Sequence, residues 1–411
     1  MKEMIINNRQ FRFYMVYQLF SGLGNGVFSF FMLLSIHLLY GVPMFTGIAA
    51  FLFGAPSFVA FTVGPVVDAS NKVKIMRLTS LVEFIVLAVL AILAFTGEIP
   101  VFVMFAVILC FSVAALFERA SKVAFLRQIV SENKLVEANA AINIASLIGG
   151  LGVAAAMFRM VAEDRVDFPL IFGLSMVFVA LAFLVSLFLR DTNTYNATEA
   201  KSRTYFADLK AGAVFLRHSV LMFFLIGSII RFFAMDIANV NLPAFVEYYW
   251  GARGYILLSV TAMIGSLFAS VLVGRLGKNF RIGHLVFILM LLTGLVRITF
   301  AYILPTNFFG SQGIHIAYSA VGTAIGILSG AMYQKMTPKN MVARVNTLST
   351  TLTSISAGLG ALFGGWLGHM VYETGRLIMA HGFTYITIGI FLILVPRVRR
   401  LPKINELTEG E

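Results

Sequence analysis

Charge is what this chain has least of. Asp, Glu, Lys and Arg make up 12% of its 411 residues, about half of what a soluble globular domain carries. Acids are the scarcer sign, 19 against 31 bases, for a net charge of +12. That excess alone would admit nucleic acid as a partner, but the basic residues flank apolar runs and form no patch, so no nucleic acid is expected. A single cysteine, Cys110, excludes an internal disulfide. No Cys/His metal-ligand spacing, zinc-binding helix motif or serine nucleophile elbow occurs, so neither an enzyme nor a metal centre is expected. The glycine-rich "GLGALFGGWLG" lacks the Gly-Lys-Ser/Thr ending of a phosphate loop, which removes nucleotide binding and leaves no cofactor.

What remains is apolar. Hydrophobic residues make up 59% of the chain, with 40 Phe and 35 Gly, and mean hydropathy is +0.89. A bilayer core takes about 20 apolar residues as helix, and twelve segments of that kind follow one another. They are Phe11–Leu39, Phe45–Val67, Ile75–Phe95, Val101–Arg119, Leu135–Phe158, Phe168–Leu189, Val220–Val246, Tyr255–Val273, Ile282–Ile303, Ile314–Tyr333, Val345–Met370 and Arg376–Val395. They are too long for strands and do not alternate with period two. With both ends of the chain on the inner side, the 31 Lys and Arg fall on inner loops and tails. The exceptions are Arg159, Arg165, Arg253 and Arg376 outside, and Arg231 and Arg297 within spans. This asymmetry is the positive-inside pattern of a multi-pass cell-membrane protein, both termini cytoplasmic. The first apolar run reads as a retained span, since many more follow it.

The expected organisation is a six-helix bundle over 1–190, a cytoplasmic linker over 191–218, a second six-helix bundle over 219–396 and a tail over 397–411. The linker's second part, Tyr205 to Leu216, has the pattern of a short amphipathic helix on the membrane face. The halves are related: "GPVVDASNKVKI" from Gly64 corresponds to "GRLGKNFRIGH" from Gly274, and "QIVSENKLVEAN" ending at Asn139 to "QKMTPKNMVARVN" ending at Asn346. Two six-helix repeats around a midplane site is transporter architecture.

Polar side chains inside the spans recur at helical spacing. Span one carries Tyr14, Gln18, Ser21 and Asn25, which share one face. Span seven carries Ser228, Arg231, Asp236 and Asn239; span ten carries His315, Tyr318 and Ser329. Arg231 and Asp236 are five residues apart, about 140° around an ideal helix, so they do not pair. Asp236 and Asn239, three apart, do share a face. A charge inside a span is a candidate functional group because its cost of burial must be offset. Asp236 is the candidate for proton or ion coupling. Arg297, Glu83 and Glu118 are read as structural.

"GPVVDASNKVK" resembles the loop pattern of the major facilitator superfamily, Gly-x-x-x-Asp-(Arg)-x-Gly-(Arg)-(Lys). Gly64, Asp68 and Lys72 match; Ala69 replaces the first arginine and Asn71 the second glycine. "VSENKLVEAN", "LKAGAVFLR", "GRLGKN", "YILPTN" and "YQKMTPKNMVARV" are similar to its macrolide-efflux branch. The resemblance implies an all-α fold of twelve membrane helices in two pseudo-symmetric bundles, acting as a monomer. It implies alternating-access export of small amphiphilic or drug-like molecules, coupled to protons. Spans one, four, seven and ten would line the cavity, making Tyr14, Gln18, Ser21, Asn25, Arg231, Asn239, His315 and Tyr318 the substrate-facing residues. Span two would pack on span eleven and span eight on span five, so that Asp68 with Arg344, and Lys278 with Glu137, close a cytoplasmic gate to which Lys72 also belongs. The chain departs from the family at Phe111, where an arginine is common, and in "SLIGGLGVAAAMF", which lacks the antiporter proline. Both departures leave coupling and direction open. Alternatives are an exporter of a self-made metallophore, peptide or lipid on the same fold, and a non-transporting membrane sensor or scaffold.

Overall fold

A computed structural model describes residues 8–130, 138, 142, 166–191, 205–338, 341–371, 373–403 and 406–407; at 65, 68, 205–209, 271–279 and 343 it describes the backbone alone. The described residues are helical almost throughout, and the chain divides into two compact units: Met1–Gly41 with Leu52–Arg203, and Val42–Phe51 with Thr204–Glu411. Nine helices are long and apolar enough to cross a membrane among the described residues. One of the nine holds two expected spans, and Val342–Met370, rich in Ser and Thr, adds a further long helix. Apart from Ala138 and Ile142, the expected fifth span lies outside the described residues.

In the first unit, α1 (Arg9–Tyr40) starts at Asn8, whose side-chain oxygen accepts from the Phe11 amide at 2.9 Å. The Asn8 amide nitrogen donates to the Ile129 carbonyl at 2.7 Å, so one side chain caps α1 and satisfies the end of another helix. Gly41, at φ 64, ends α1 in the left-handed conformation that glycine adopts without steric cost. The second span is broken: α2 (Pro43–Gly54), most of which belongs to the second unit, and α3 (Ala60–Asp68) are joined by a 3-10 turn over Ala55–Val59 that contains Pro56. Asn71 then caps α4 (Lys72–Thr96), accepting from the Lys74 amide at 2.8 Å. The residue that replaces the pattern's second glycine is therefore a helix cap. Helices α5 (Val101–Ile129) and α6 (Phe168–Ser186) complete the described part.

Here α6 packs on α1 and α4, and α4 on α5. One side of α4 faces lipid through Leu78, Ile85 and Ile92 at seven-residue spacing, while Met76, Ser80, Glu83 and Leu87 point inward. Both faces are apolar in bulk, so what distinguishes the inner face is its polar groups. Helix α5 runs ten residues beyond the expected end at Arg119. The charges of "FERASK" do not end the helix because Glu118 and Lys122 turn into the unit and pair there.

In the second unit, α7 (Tyr205–His218) packs against α11 (Val342–Met370). Spans seven and eight form one long element, α8 (Leu221–Asn279), broken at Gly251, where φ 64 and ψ −177 are open to glycine and strained for other residues. The remaining helices are α9 (Ile282–Ile303), α10 (Phe308–Met336), α12 (Gly375–Leu394) and a short α13 (Pro396–Arg399). Helix α8 packs on α10, α11 and α12, and α9 on α12 and α10. Contact between α8 and α11 depends on absent side chains: a Cβ on Gly364 would lie 2.6 Å from the Ile237 Cα. Beside it, buried Asn241 donates to the Ile237 and Gly364 carbonyls, both at 2.8 Å. The second asparagine of "ANVN" thus ties two helices together.

Candidate functional site

Each unit buries one group of polar side chains where lipid and packing would otherwise demand carbon.

In the first unit the group centres on Glu118 of α5, 1% exposed. Ser21 Oγ donates to Glu118 Oε1 at 2.7 Å, and Tyr17 Oη donates to the same oxygen. Asn25 Nδ2 donates to Oε2 at 3.1 Å. Lys122, one helical turn on, places Nζ 3.1 Å from Oε2 and 2.6 Å from Ser21 Oγ. Tyr17 Oη also lies 3.1 Å from Ser80 Oγ of α4. The α1 stripe is therefore aimed at α5: Tyr14 Oη donates to the Lys122 carbonyl at 2.9 Å and accepts from Gln18 at 2.9 Å. Of the expected cavity residues, Ser21 and Asn25 are brought together by this carboxylate, and Tyr14 and Gln18 lie one to two turns away on its rim. Lys122 is held twice over, by an ion pair and by charge-assisted hydrogen bonding.

Glu83 of α4 belongs to the same group and is fully buried, at 0% exposure. Neither of its carboxyl oxygens has a hydrogen-bond partner among the described residues, and neither does Asn25 Oδ1. At the expected arginine position, Phe111 packs on Phe28 with ring centroids 4.3 Å apart.

In the second unit the group joins α8, α9, α10 and α12. Arg297 of α9 is 1% exposed, and none of its guanidinium nitrogens has a hydrogen-bond partner among the described residues. Two rings receive it instead: its guanidinium carbon lies 4.7 Å from the Tyr318 centroid and 5.4 Å from that of Phe300. Tyr318 is flanked by His315, 5.7 Å away and stacked, and by His381, 6.3 Å away and edge-on. His381 packs 5.0 Å from Tyr385, whose hydroxyl faces Arg231 at 3.5 Å. His315 Nδ1 lies 3.3 Å from Thr261 Oγ1. Expected residues Arg231, His315 and Tyr318 thus meet in one aromatic and cationic cluster. Asp236 and Asn239 stand apart from it as a pair, Asn239 Nδ2 donating to Asp236 Oδ1 at 3.0 Å. Arg231 and Asp236 form no ion pair, and Arg231 lies instead 4.3 Å from the Phe232 centroid.

Of the expected gate, Glu137 and the side chains of Asp68 and Lys278 lie outside the described residues. Lys72 is buried and tied within the first unit, its backbone amide donating to Asp191 at 2.8 Å and its Nζ to the Ser70 carbonyl at 3.0 Å. Arg344 lies at the start of α11, its backbone against Gly212 of α7.

Sequence reading missed Glu118 and Lys122 as the centre of the first group, because the span was ended one residue after Glu118. Their i, i+4 spacing was the available signal. His381 and Tyr385, also four apart and on an inward face, were missed in the same way.

Three comparisons bear on this architecture. A sequence description of the Major Facilitator Superfamily matches residues 14–361. No curated protein matches the chain. Among solved structures, a mutant of the nucleoside transporter NupG is similar at a TM-score of 0.75 and 15% identity, over 94% of this chain and 99% of that one. The xylose transporter XylE from E. coli, inward open, is similar at 0.67 and 11% identity, over 94% and 96%. A bacterial metal transporter is similar at 0.63 and 12% identity, over 94% and 98%. At these identities the likeness speaks to the fold.

Proposed function

The chain belongs to the Major Facilitator Superfamily and is a multi-pass membrane transporter, and on that premise we propose that it exports small amphiphilic or drug-like molecules from the cytoplasm, with protons as the coupling ion at Asp236. The observation that carries the coupling is Asp236 itself: a half-buried carboxylate within α8, held by Asn239 and not paired with Arg231. A carboxylate inside a span is costly while charged, and one whose partner is a neutral amide gains or loses a proton without breaking an ion pair. Arg231, Asn239, His315 and Tyr318 would orient the solute while phenylalanines take up its apolar bulk. The loop charges Asp68, Lys72, Glu137, Lys278 and Arg344 are proposed, from the duplicated loops, to close the cytoplasmic side. Fold alone does not name a substrate; the efflux reading rests on the stretches similar to the macrolide-efflux branch.

A susceptibility panel tests it, comparing a host that expresses the wild type, Asp236→Asn or an empty vector. Wild type should raise tolerance to at least one amphiphilic drug, and Asp236→Asn should return it to the empty-vector level. A panel on which all three behave alike overturns the drug-export reading.

A further inference from the structure

The first unit holds a second carboxyl that the coupling scheme does not use. Glu118 is saturated, with donors from Tyr17, Ser21, Asn25 and Lys122. Together Glu118 and Lys122 are charge-balanced. Glu83 is the surplus acid. It sits in the twelfth position of α4, a 25-residue helix, and so near the middle of the span.

Among the described residues three buried acceptor oxygens have no hydrogen-bond partner: both carboxyl oxygens of Glu83, and Oδ1 of Asn25. The Asn25 carboxamide lies between the two acids, with Nδ2 on Glu118 Oε2 and its side chain within interaction range of Glu83. An ionised Glu83 would leave these acceptors unfilled in a low-dielectric interior, which makes the charge costly to keep. A single proton changes this. A neutral carboxylic acid has one O–H to donate, and the Asn25 carboxamide, which interacts with Glu83, carries an acceptor, Oδ1, with no partner among the described residues.

We propose that Glu83 is a proton-binding site of the first unit, the bound proton being donated to Asn25 Oδ1 and linked through that amide to the Glu118–Lys122 pair. The step is simple: Glu83 takes one proton from water, and the net charge of the group goes from −1 to zero. Among the described residues the charged and titratable groups facing it are few. Helix α5 presents Glu118 and Lys122, α1 presents Tyr17, and α6 carries no titratable residue. Lys72 and Lys74 at the start of α4 are far off; eleven residues of helix put Lys72 about 16 Å along the axis. A divalent cation is a poor fit, since it takes six or more oxygens and three are free among the described residues. The site stands independently of what the protein carries and of Asp236.

The test uses full-length protein in lipid nanodiscs. Infrared difference spectra, taken on acidification in H2O and D2O, should contain a protonated-carboxyl band that shifts on deuteration. Glu83→Gln, which keeps shape and a donor for Asn25, should lack that band; Asp236→Asn should retain it. Asn25→Leu, which removes the acceptor, should move the band and shift its midpoint at least tenfold in proton concentration. Loss of the band in Asp236→Asn with retention in Glu83→Gln overturns the assignment and leaves the coupling proposal intact. So does release of the proton on adding sodium at fixed pH, which would make Glu83 a metal-cation site. If Glu83→Gln fails to assemble, the Asn25→Leu shift and the wild-type band decide, and absence of both overturns the proposal.

Discussion

The guanidinium of Arg297 lies 4.7 Å from the centre of the Tyr318 ring, and in the second unit this contact takes the place of an ion pair. A guanidinium does not lose its proton in proteins, so α9 carries a permanent charge into the packed interior. The faces of Tyr318 and Phe300 supply the partial negative charge it meets. Tyr318→Phe should therefore cost little, since the ring stays. Tyr318→Leu should lose about 2 kcal/mol, the value of a desolvated cation–π contact. Arg297→Met should be near neutral or stabilising, because a hydrophobic residue of similar length removes the charge that needed compensation. Thermal unfolding of the purified variants in one detergent checks the order; a Tyr318→Leu variant as stable as wild type would show that the ring does not hold the charge.

The Glu118–Lys122 pair behaves oppositely, because its two members depend on each other. Glu118→Ala removes the carboxylate that pairs with the largely buried Lys122 ammonium, leaving it Ser21 Oγ and the Tyr17 ring, and should destabilise the protein by about 3–5 kcal/mol. Glu118→Leu combined with Lys122→Leu removes both charges and should recover at least half of that loss. Denaturant or thermal unfolding of both variants reads this directly, and additive losses in the double variant would contradict the pairing.

Glycines on α10 and α11 make different predictions. At Gly364 a Cβ would meet the Ile237 backbone at 2.6 Å, so Gly364→Ala has to push α8 and α11 apart, at about 1–3 kcal/mol. At Gly326 on α10 nothing lies within 4 Å. Gly326→Ala should be tolerated and gain up to about 1 kcal/mol in helix propensity. Equal behaviour of the two would mean that α11 does not approach α8 as described.

Cys110 is the one cysteine of the chain and is exposed on α5 beside Leu109 and Val113, in an apolar groove it shares with Leu78 and Val82 of α4. In a membrane that surface faces lipid, where a charged reagent is costly to bring. A sulfonated, water-soluble maleimide should leave Cys110 unmodified in membranes, and a lipid-soluble one should label it slowly. Rapid labelling by the water-soluble reagent in intact membranes would place that face of α5 in water.

Much of the molecule was legible without coordinates. Runs of about 20 apolar residues separated by charged loops can satisfy their backbone in lipid only as helices. The i, i+4 face of Tyr14, Gln18, Ser21 and Asn25, and the three-residue spacing of Asp236 and Asn239, are consequences of helical geometry, and both groupings are present. Misreadings occurred where hydropathy changes sign inside a helix. Glu118 marked the apparent end of an apolar run, yet α5 continues to Ile129 because the charges turn inward and find partners there. Likewise the turn over Ala55–Val59 interrupts a segment that composition alone presents as uniform, whereas the kink at Gly251 falls between the expected seventh and eighth spans.

By itself, then, the order of residues determined that this is a helical membrane protein and which side chains share a helix face, since both depend on local periodicity and on the cost of burying charge. Which faces meet was decided only by packing. That Glu118 collects Tyr17, Ser21 and Asn25, that Glu83 has no hydrogen-bond partner among the described residues, and that Arg297 rests on Tyr318 all depend on residues tens of positions apart being brought together. No local pattern encodes those distances, because in lipid they are set by how helix surfaces fit together.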